Sequence, residues 1–287
     1  MYWVTRVRRA FWQAFQHGQF AVAKGAAYSS ILTLFPAFLV VTSVLEAAHA
    51  TEGFIYQISA AIGWVLPPGP SALALSFLQT KQHHTTRILV SATLVTLLAA
   101  TGLMTSWMEG FRKAYGLQEI WGFWRERFVA LTLVVLALIP LTFATFLVVF
   151  GNQIATVMQQ NMNVFRPLLV LVWAVARWAI AILTSIAFMA LIYHNGIPKT
   201  QSWRRVMPGA IMSTAMWFPA TMLFGWYVTH YATYSVVYGS LSAAIALLVW
   251  LYIVSVIVLL GAEVNAQVYP KATAKHWLEK RNKEPTE

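Results

Sequence analysis

The stretch YGSLSAAIALLVWLYIVSVIVLLGAEVNA, Tyr238 to Ala266, contains one acid, and that acid sits almost at its end. From Ser240 to Ala262 run 23 residues without a charge. Wound as an α-helix at ~1.5 Å per residue they reach about 34 Å, enough to cross a bilayer core of ~30 Å. The same run closes on Gly261, Ala262, Glu263 and Asn265, groups that hydrocarbon penalises. It therefore predicts a membrane fold and, at its end, a place where helices meet.

Composition extends that reading to the whole chain. Of 287 residues 59% are hydrophobic and 10% are charged, more apolar surface than one soluble core of this size hides, so the bilayer is the solvent. All nine acids are Glu, with no Asp. Cysteine is absent, which removes disulfides, thiol nucleophiles and thiolate metal sites. The N-terminus carries Arg6, Arg8 and Arg9 without a short apolar core and a small-residue cleavage site, so it reads as retained.

Hydropathy predicts an all-α integral membrane protein with six transmembrane helices, at residues 26–48, 88–107, 128–150, 167–193, 207–230 and 239–266, in one domain covering 1–287. Residues 1–20 form an amphipathic interfacial helix. Trp3, Val7, Ala10, Phe11, Ala14 and Phe15 share its apolar face, and Arg9, Gln13 and Gln16 lie opposite. The segment MEGFRKAYGLQEIWGFWRER, residues 108–127, is charged and aromatic and is expected at or outside an interface. After Pro70 the apolar run is too short to cross, so a surface or re-entrant segment is expected there. Residues 267–287 form a basic cytoplasmic tail.

Charge orients the spans. With the N-terminus inside, the inner segments hold sixteen of the 20 basic residues: Arg6, Arg8, Arg9 and Lys24; Arg112, Lys113, Arg125 and Arg127; Lys199, Arg204 and Arg205; and five in the tail. The outer side holds Lys81, Arg87 and Arg166, and Arg177 falls inside a span. The positive-inside rule then places both termini in the cytoplasm. It also accounts for the net charge of +11 without nucleic acid, through topology and contact with anionic phospholipid headgroups.

Three motifs, AKGAAYSSILTLFPAF from Ala23, RRVMPGAIMSTAMW from Arg204, and the opening stretch extended to YSVVYGSL, together resemble the YihY/BrkB family of bacterial inner-membrane proteins. The likeness runs from about Ala21 to Ala266, in order, and its most specific part is YGSL, WLY and GAE-N at fixed spacing. The resemblance implies a six-helix inner-membrane protein. Members have been called ribonuclease BN-like, UPF0761 or serum-resistance factors, and some look like exporters.

The residues themselves nominate two sites. Near the inner face, Glu263 is expected to pair with Lys24, with Arg204 and Arg205 at the same depth, while Asn265 satisfies loose backbone groups; the cluster locks helices or works as a gate. Deeper in the membrane, Arg177 lies roughly 15 Å below the outer edge at ~1.5 Å per residue, too deep for easy snorkelling. It either bridges to Glu46 or presents its guanidinium to a substrate anion, with Tyr28 as a further substrate-facing candidate. Pro36 is a packing kink or a hinge. Pro208 and Gly209, in the first turn of a helix, pack on a small-residue stripe starting at Gly239, and Gly261 lies on a close-packed face.

Catalytic chemistry finds little support. His83 and His84 diverge on a helix, no HExxH spacing occurs, and Asp and Cys are missing as co-ligands, so no metal, cofactor or catalytic residue is assigned. The favoured function is a transporter or exporter of an anionic or amphiphilic envelope compound, with a small-molecule or lipid-like substrate. The alternative is a non-transporting scaffold or envelope-integrity factor, and ribonuclease activity is disfavoured. No nucleotide-binding loop of the GxxxxGK[ST] type is present, so energy would come from a gradient or another protein.

Overall fold

A computed structural model describes residues 2–47, 58–59, 66–67, 70–79, 86–117, 121–161, 166–198, 201–230 and 241–268. Among them there is no strand. The helices are α1 (Tyr2–Gln16), α2 (Gln19–Ala47), α3 (Pro70–Gln79), α4 (Thr86–Tyr115), α5 (Phe123–Asn161), α6 (Arg166–Asn195), α7 (Trp203–His230) and α8 (Ser242–Val268). Within α2, α4, α6, α7 and α8, five stretches are long and apolar enough to cross a membrane: Gln19–Leu45, Arg87–Tyr115, Leu171–Asn195, Trp203–His230 and Ser242–Gln267. The apolar stretch 128–150, expected as a further span, lies inside α5, a helix of 39 residues. At ten residues α3 is only about 15 Å long, as expected too short to cross, and it packs on α2 and α8 with Ala74 buried.

Short turns hold the helices side by side. Gly18 has φ +67° and Gly116 φ +64°, the left-handed region that glycine enters without steric cost. At Gly116 the N–H of Leu117 donates to the carbonyl of Arg112 at 2.9 Å, which satisfies an orphan carbonyl at the end of α4. The starts of α2, α5 and α7 and the ends of α4, α6 and α8 meet at one end of the bundle. Gln19 bonds to Gly110, Arg112 to Glu126, Tyr193 to Val258 and Asn265 to Gly209.

The main core sits at that end. Met108, Phe111, Leu133, Ile192, Val206 and Leu259 are each at most 1% exposed and belong to one cluster. A smaller cluster of Phe224, Ala246, Leu247 and Trp250 joins α7 and α8 further along.

Several expectations change. The span expected to end at Trp107 continues as helix for two turns more, so Met108 to Tyr115 belong to α4, with Phe111 and Arg112 only 1% and 7% exposed. In α1, Ala10 and Ala14 are buried against protein at 0% and 1%, while Phe11, Trp12 and Phe15 remain exposed, so the exposed apolar stripe is narrower than the expected face and rotated from it. Helix α7 starts at Trp203, which makes Pro208 its sixth residue and takes it out of the first turn. Its missing N–H leaves the carbonyl of Arg204 without that helical bond, at the exposed end of the helix. Helix α2 runs on through Pro36.

Candidate functional site

The last two turns of α8 carry polar groups into the core at the joined helix ends. Glu263 and Asn265 are both 0% exposed. Glu263 Oε1 accepts from His17 Nδ1 at 2.8 Å and from Gln19 Nε2 at 2.8 Å. The same Gln19 nitrogen donates to the carbonyl of Gly110 at 2.9 Å, so one amide joins α2, α4 and α8. With Glu263 ionised the carboxylate only accepts, and His17 then donates to it through Nδ1. Its side chain is 34% exposed against 1% for Glu263, so the histidine bridges solvent and the buried acid.

The acid is thus met by one amide and one imidazole, with no Lys or Arg bonded to it among the described residues. Glu263 Oε2 and Gln19 Oε1 are buried with no hydrogen-bond partner there. Burying an ionised carboxylate costs several kcal/mol unless charge and hydrogen bonds compensate, so this placement is expensive for a group with only a packing role.

Two turns of glycine chemistry bring the backbones together. A Cβ at Gly261 would run into Ser213 Oγ, Tyr193 OH and the carbonyl of Gly209, and one at Gly209 would run into the carbonyl of Gly261 and the Asn265 amide. Asn265 Oδ1 accepts from the Gly209 N–H at 2.7 Å. The Tyr193 hydroxyl donates to the carbonyl of Val258 at 2.7 Å and lies 2.7 Å from Ser213 Oγ, while Ser213 reaches the carbonyl of Ile257 at 3.2 Å. The ring of Tyr193 is edge-on to Phe111, with centroids 5.2 Å apart. Helices α4, α6, α7 and α8 are therefore locked by side chains around three glycines, Gly110 among them.

Not every expected residue joins this site. Lys24 is exposed and is not the partner of Glu263; the acid turns instead to the hinge residues His17 and Gln19, which lie closer to the end of α8. Arg204 and Arg205 are exposed as well. Gly209 meets Gly261 and Asn265, while Gly239, the expected start of the stripe beneath it, lies outside the described residues. Asn265 satisfies a backbone group as expected. Tyr28 is 62% exposed and faces away from the core. Arg177 is half-buried in α6 and makes contacts of its own, but the side chain of Glu46 lies outside the described residues. The residues that sequence reasoning missed are His17, Gln19, Gly110, Tyr193 and Ser213. A faint signal existed for two of them: His17 and Gln19 bracket a glycine where an amphipathic helix gives way to an apolar one.

A half-buried ion pair fastens the neighbouring corner. Arg112 Nη1 donates to Glu126 Oε1 at 2.7 Å, with side chains 8% and 19% exposed, tying the end of α4 to the start of α5. Lys113 and Glu109, four residues apart on α4, form an exposed pair at 2.6 Å. No group of three His, Cys, Asp or Glu able to hold a metal ion occurs among the described residues.

Residues 11–284 match the family described as Virulence factor BrkB. A protein of Bacillus subtilis (strain 168) named ribonuclease-like protein YfkH is 28% identical over 250 residues, 85% of this chain and 88% of that one. A UPF0761 membrane protein of Vibrio cholerae is 34% identical over 101 residues, 35% of this chain and 33% of its own. Another, from Alkalilimnicola ehrlichii, is 37% identical over 73 residues, 25% of this chain and 16% of its own. No solved structure matches the chain.

Proposed function

The chain belongs to the Virulence factor BrkB family of membrane proteins, and from that premise we propose that it is a six-span transporter or exporter of an anionic or amphiphilic envelope compound in a bacterial inner membrane. Both termini are cytoplasmic in this reading, and the cluster around Glu263 is the inner gate. One observation carries it: a carboxylate that is 0% exposed at the packed end of the bundle, held only by an imidazole and an amide. An ionisable group buried among membrane helices is costly and is kept where it serves a function. Opening α8 away from both α6 and α7 would break the Tyr193–Val258 and Asn265–Gly209 bonds together, so the lock is a set of contacts that can release as a unit.

The second reading, a scaffold, is favoured by the continuous core that joins the helix ends around Phe111 and Leu259. Phosphodiester cleavage is not proposed. The ribonuclease-like name belongs to the Bacillus protein, and here the central carboxylate is shut away from any RNA.

The two readings separate on whether the packed interior ever opens. The chain lacks cysteine, so single cysteines can replace Thr214 and Ser255, which are 5% and 1% exposed and whose hydroxyls have no partner among the described residues. In inverted membrane vesicles a gate predicts slow reaction of both thiols with an impermeant maleimide, accelerated by Glu263→Gln. If neither thiol reacts in either background while the protein stays folded, the gate is rejected and the scaffold reading stands.

A further inference from the structure

Helix α1 has two opposed faces, and each has work of a different kind. Its inner face is pinned to α8: Ala10 and Ala14 are buried, and Gln267 Nε2 donates to the carbonyl of Arg6 and to Gln13 Oε1, each at 3.2 Å. Directly after it, His17 holds Glu263, and Gly18, at φ +67°, turns the chain into α2. Helix α1 and its hinge therefore clamp the end of α8 at two points one turn apart, Glu263 and Gln267.

The outer face is apolar and cationic. Phe11, Trp12 and Phe15 are 55%, 63% and 68% exposed, Trp12 stacks with Phe15, and Arg8 and Arg9 are exposed beside them. No acid precedes Glu46 in the sequence, so α1 carries positive charge and no acid of its own. Two further helix starts at the same end show the same mixture. Phe123 and Trp124 are 65% and 82% exposed, with Arg127 5.5 Å from the Phe123 ring, and Trp203 is 51% exposed beside Arg204 and Arg205. Rings and arginines shared among three helix segments at one level fit a headgroup layer, because such rings settle at the membrane–water interface and arginine pairs with lipid phosphate. A protein partner would need to match all three segments at once.

We propose that α1 is a clamp held by the surface of an anionic phospholipid bilayer, which keeps His17 and Gln13 engaged on the end of α8. The lipid contacts the outer face and the buried polar contacts use the inner one, so the two are simultaneous. A lipid surface that binds the docked position better than the released one shifts α1 towards docking by that difference in affinity. The clamp stands whether or not the bundle transports a solute, and its test reads helix position and not flux.

Spin labels on Gln16→Cys and Lys113→Cys, both exposed and outside the clamp contacts, report the distance between α1 and α4 in the full-length protein. In nanodiscs of phosphatidylcholine mixed with phosphatidylglycerol a single narrow distance is expected. In phosphatidylcholine alone a second, longer population should appear. Adding Arg8→Glu with Arg9→Glu should produce that population in both lipids, and Glu263→Gln should do so even on the anionic surface. Melting temperature in the same discs records that each variant remains folded. One narrow distance in every lipid and variant overturns the clamp. A lipid effect that survives the arginine reversals also overturns it, since the anionic surface would then act elsewhere.

Discussion

At the level of single residues, the fit around Gly261 is the sharpest constraint on the sequence. Its missing side chain is what lets the carbonyl of Gly209 and the hydroxyls of Tyr193 and Ser213 reach α8. Gly261→Ala should therefore destabilise the protein by about 1–3 kcal/mol, the usual range for overpacking. Gly102→Ala is the control, because a Cβ there meets Ser29 Oγ at 3.4 Å, an ordinary contact. Melting in detergent should separate the two; equal effects would mean that the glycine crossing is not specially tight. Glu263 gives a second test. With His17 and Gln19 as its partners, and Lys24 exposed, charge exchange between Lys24 and Glu263 should not rescue the single Glu263→Lys change, whereas Lys24→Glu alone should be nearly silent. Rescue by the exchange would restore the ion pair that the sequence pointed to. Such partners were hard to read because hydropathy fixes depth along the membrane and leaves azimuth open. Lys24 and His17 differ by about two turns along the chain, and only packing decides which one faces α8.

Among the helices, existence was legible and extent was not. Long uncharged runs give spans because lipid forces every backbone group into internal bonds, so α2, α4, α6, α7 and α8 were visible from composition alone. Their ends at the packed end of the bundle were cut short, since charge was taken as the sign of leaving the bundle. Helix α4 shows why that fails: Arg112 stays inside the packed end because Glu126, at the start of α5, meets it. That pair carries a prediction of its own. Arg112→Gln leaves the Glu126 carboxylate without its partner and should cost about 3 kcal/mol, the low end for a buried pair because Glu126 keeps some water. By contrast, Lys113→Gln, on an exposed pair four residues apart, should cost no more than ~0.5 kcal/mol. Hydrogen exchange at the start of α5 should rise in the first variant and stay unchanged in the second. A similar rise in both would show that the corner is held by packing of Phe111 and Leu133 and not by the ion pair.

For the molecule as a whole, the remaining question is which way the bundle stands in its membrane. Helix ends alternate, so the starts of α2, α5 and α7 lie together with the ends of α4, α6 and α8. An even number of crossings follows if each of these six helices spans, and the first and last then have their free ends on the same side. Among the described residues, that shared end carries the basic residues of three segments, including Arg8, Arg9, Lys113, Arg127, Arg204 and Arg205, whereas Arg87 and Arg166 stand at helix starts of the opposite end. Short loops with excess Lys and Arg resist translocation, so the shared end should be cytoplasmic. A phosphatase reporter fused after Glu287 should then be inactive, and the same reporter inserted near Gln82 should be active, because it folds only outside the cytoplasm. A fluorescent reporter that matures only inside should give the opposite pattern at both positions. If the phosphatase is active after Glu287 and inactive near Gln82, the bundle is inverted. The Glu263 cluster would then close the outer mouth, and the aromatic and arginine belt would meet the other leaflet. Activity at both positions would instead remove one of the spans between Gln82 and Glu287.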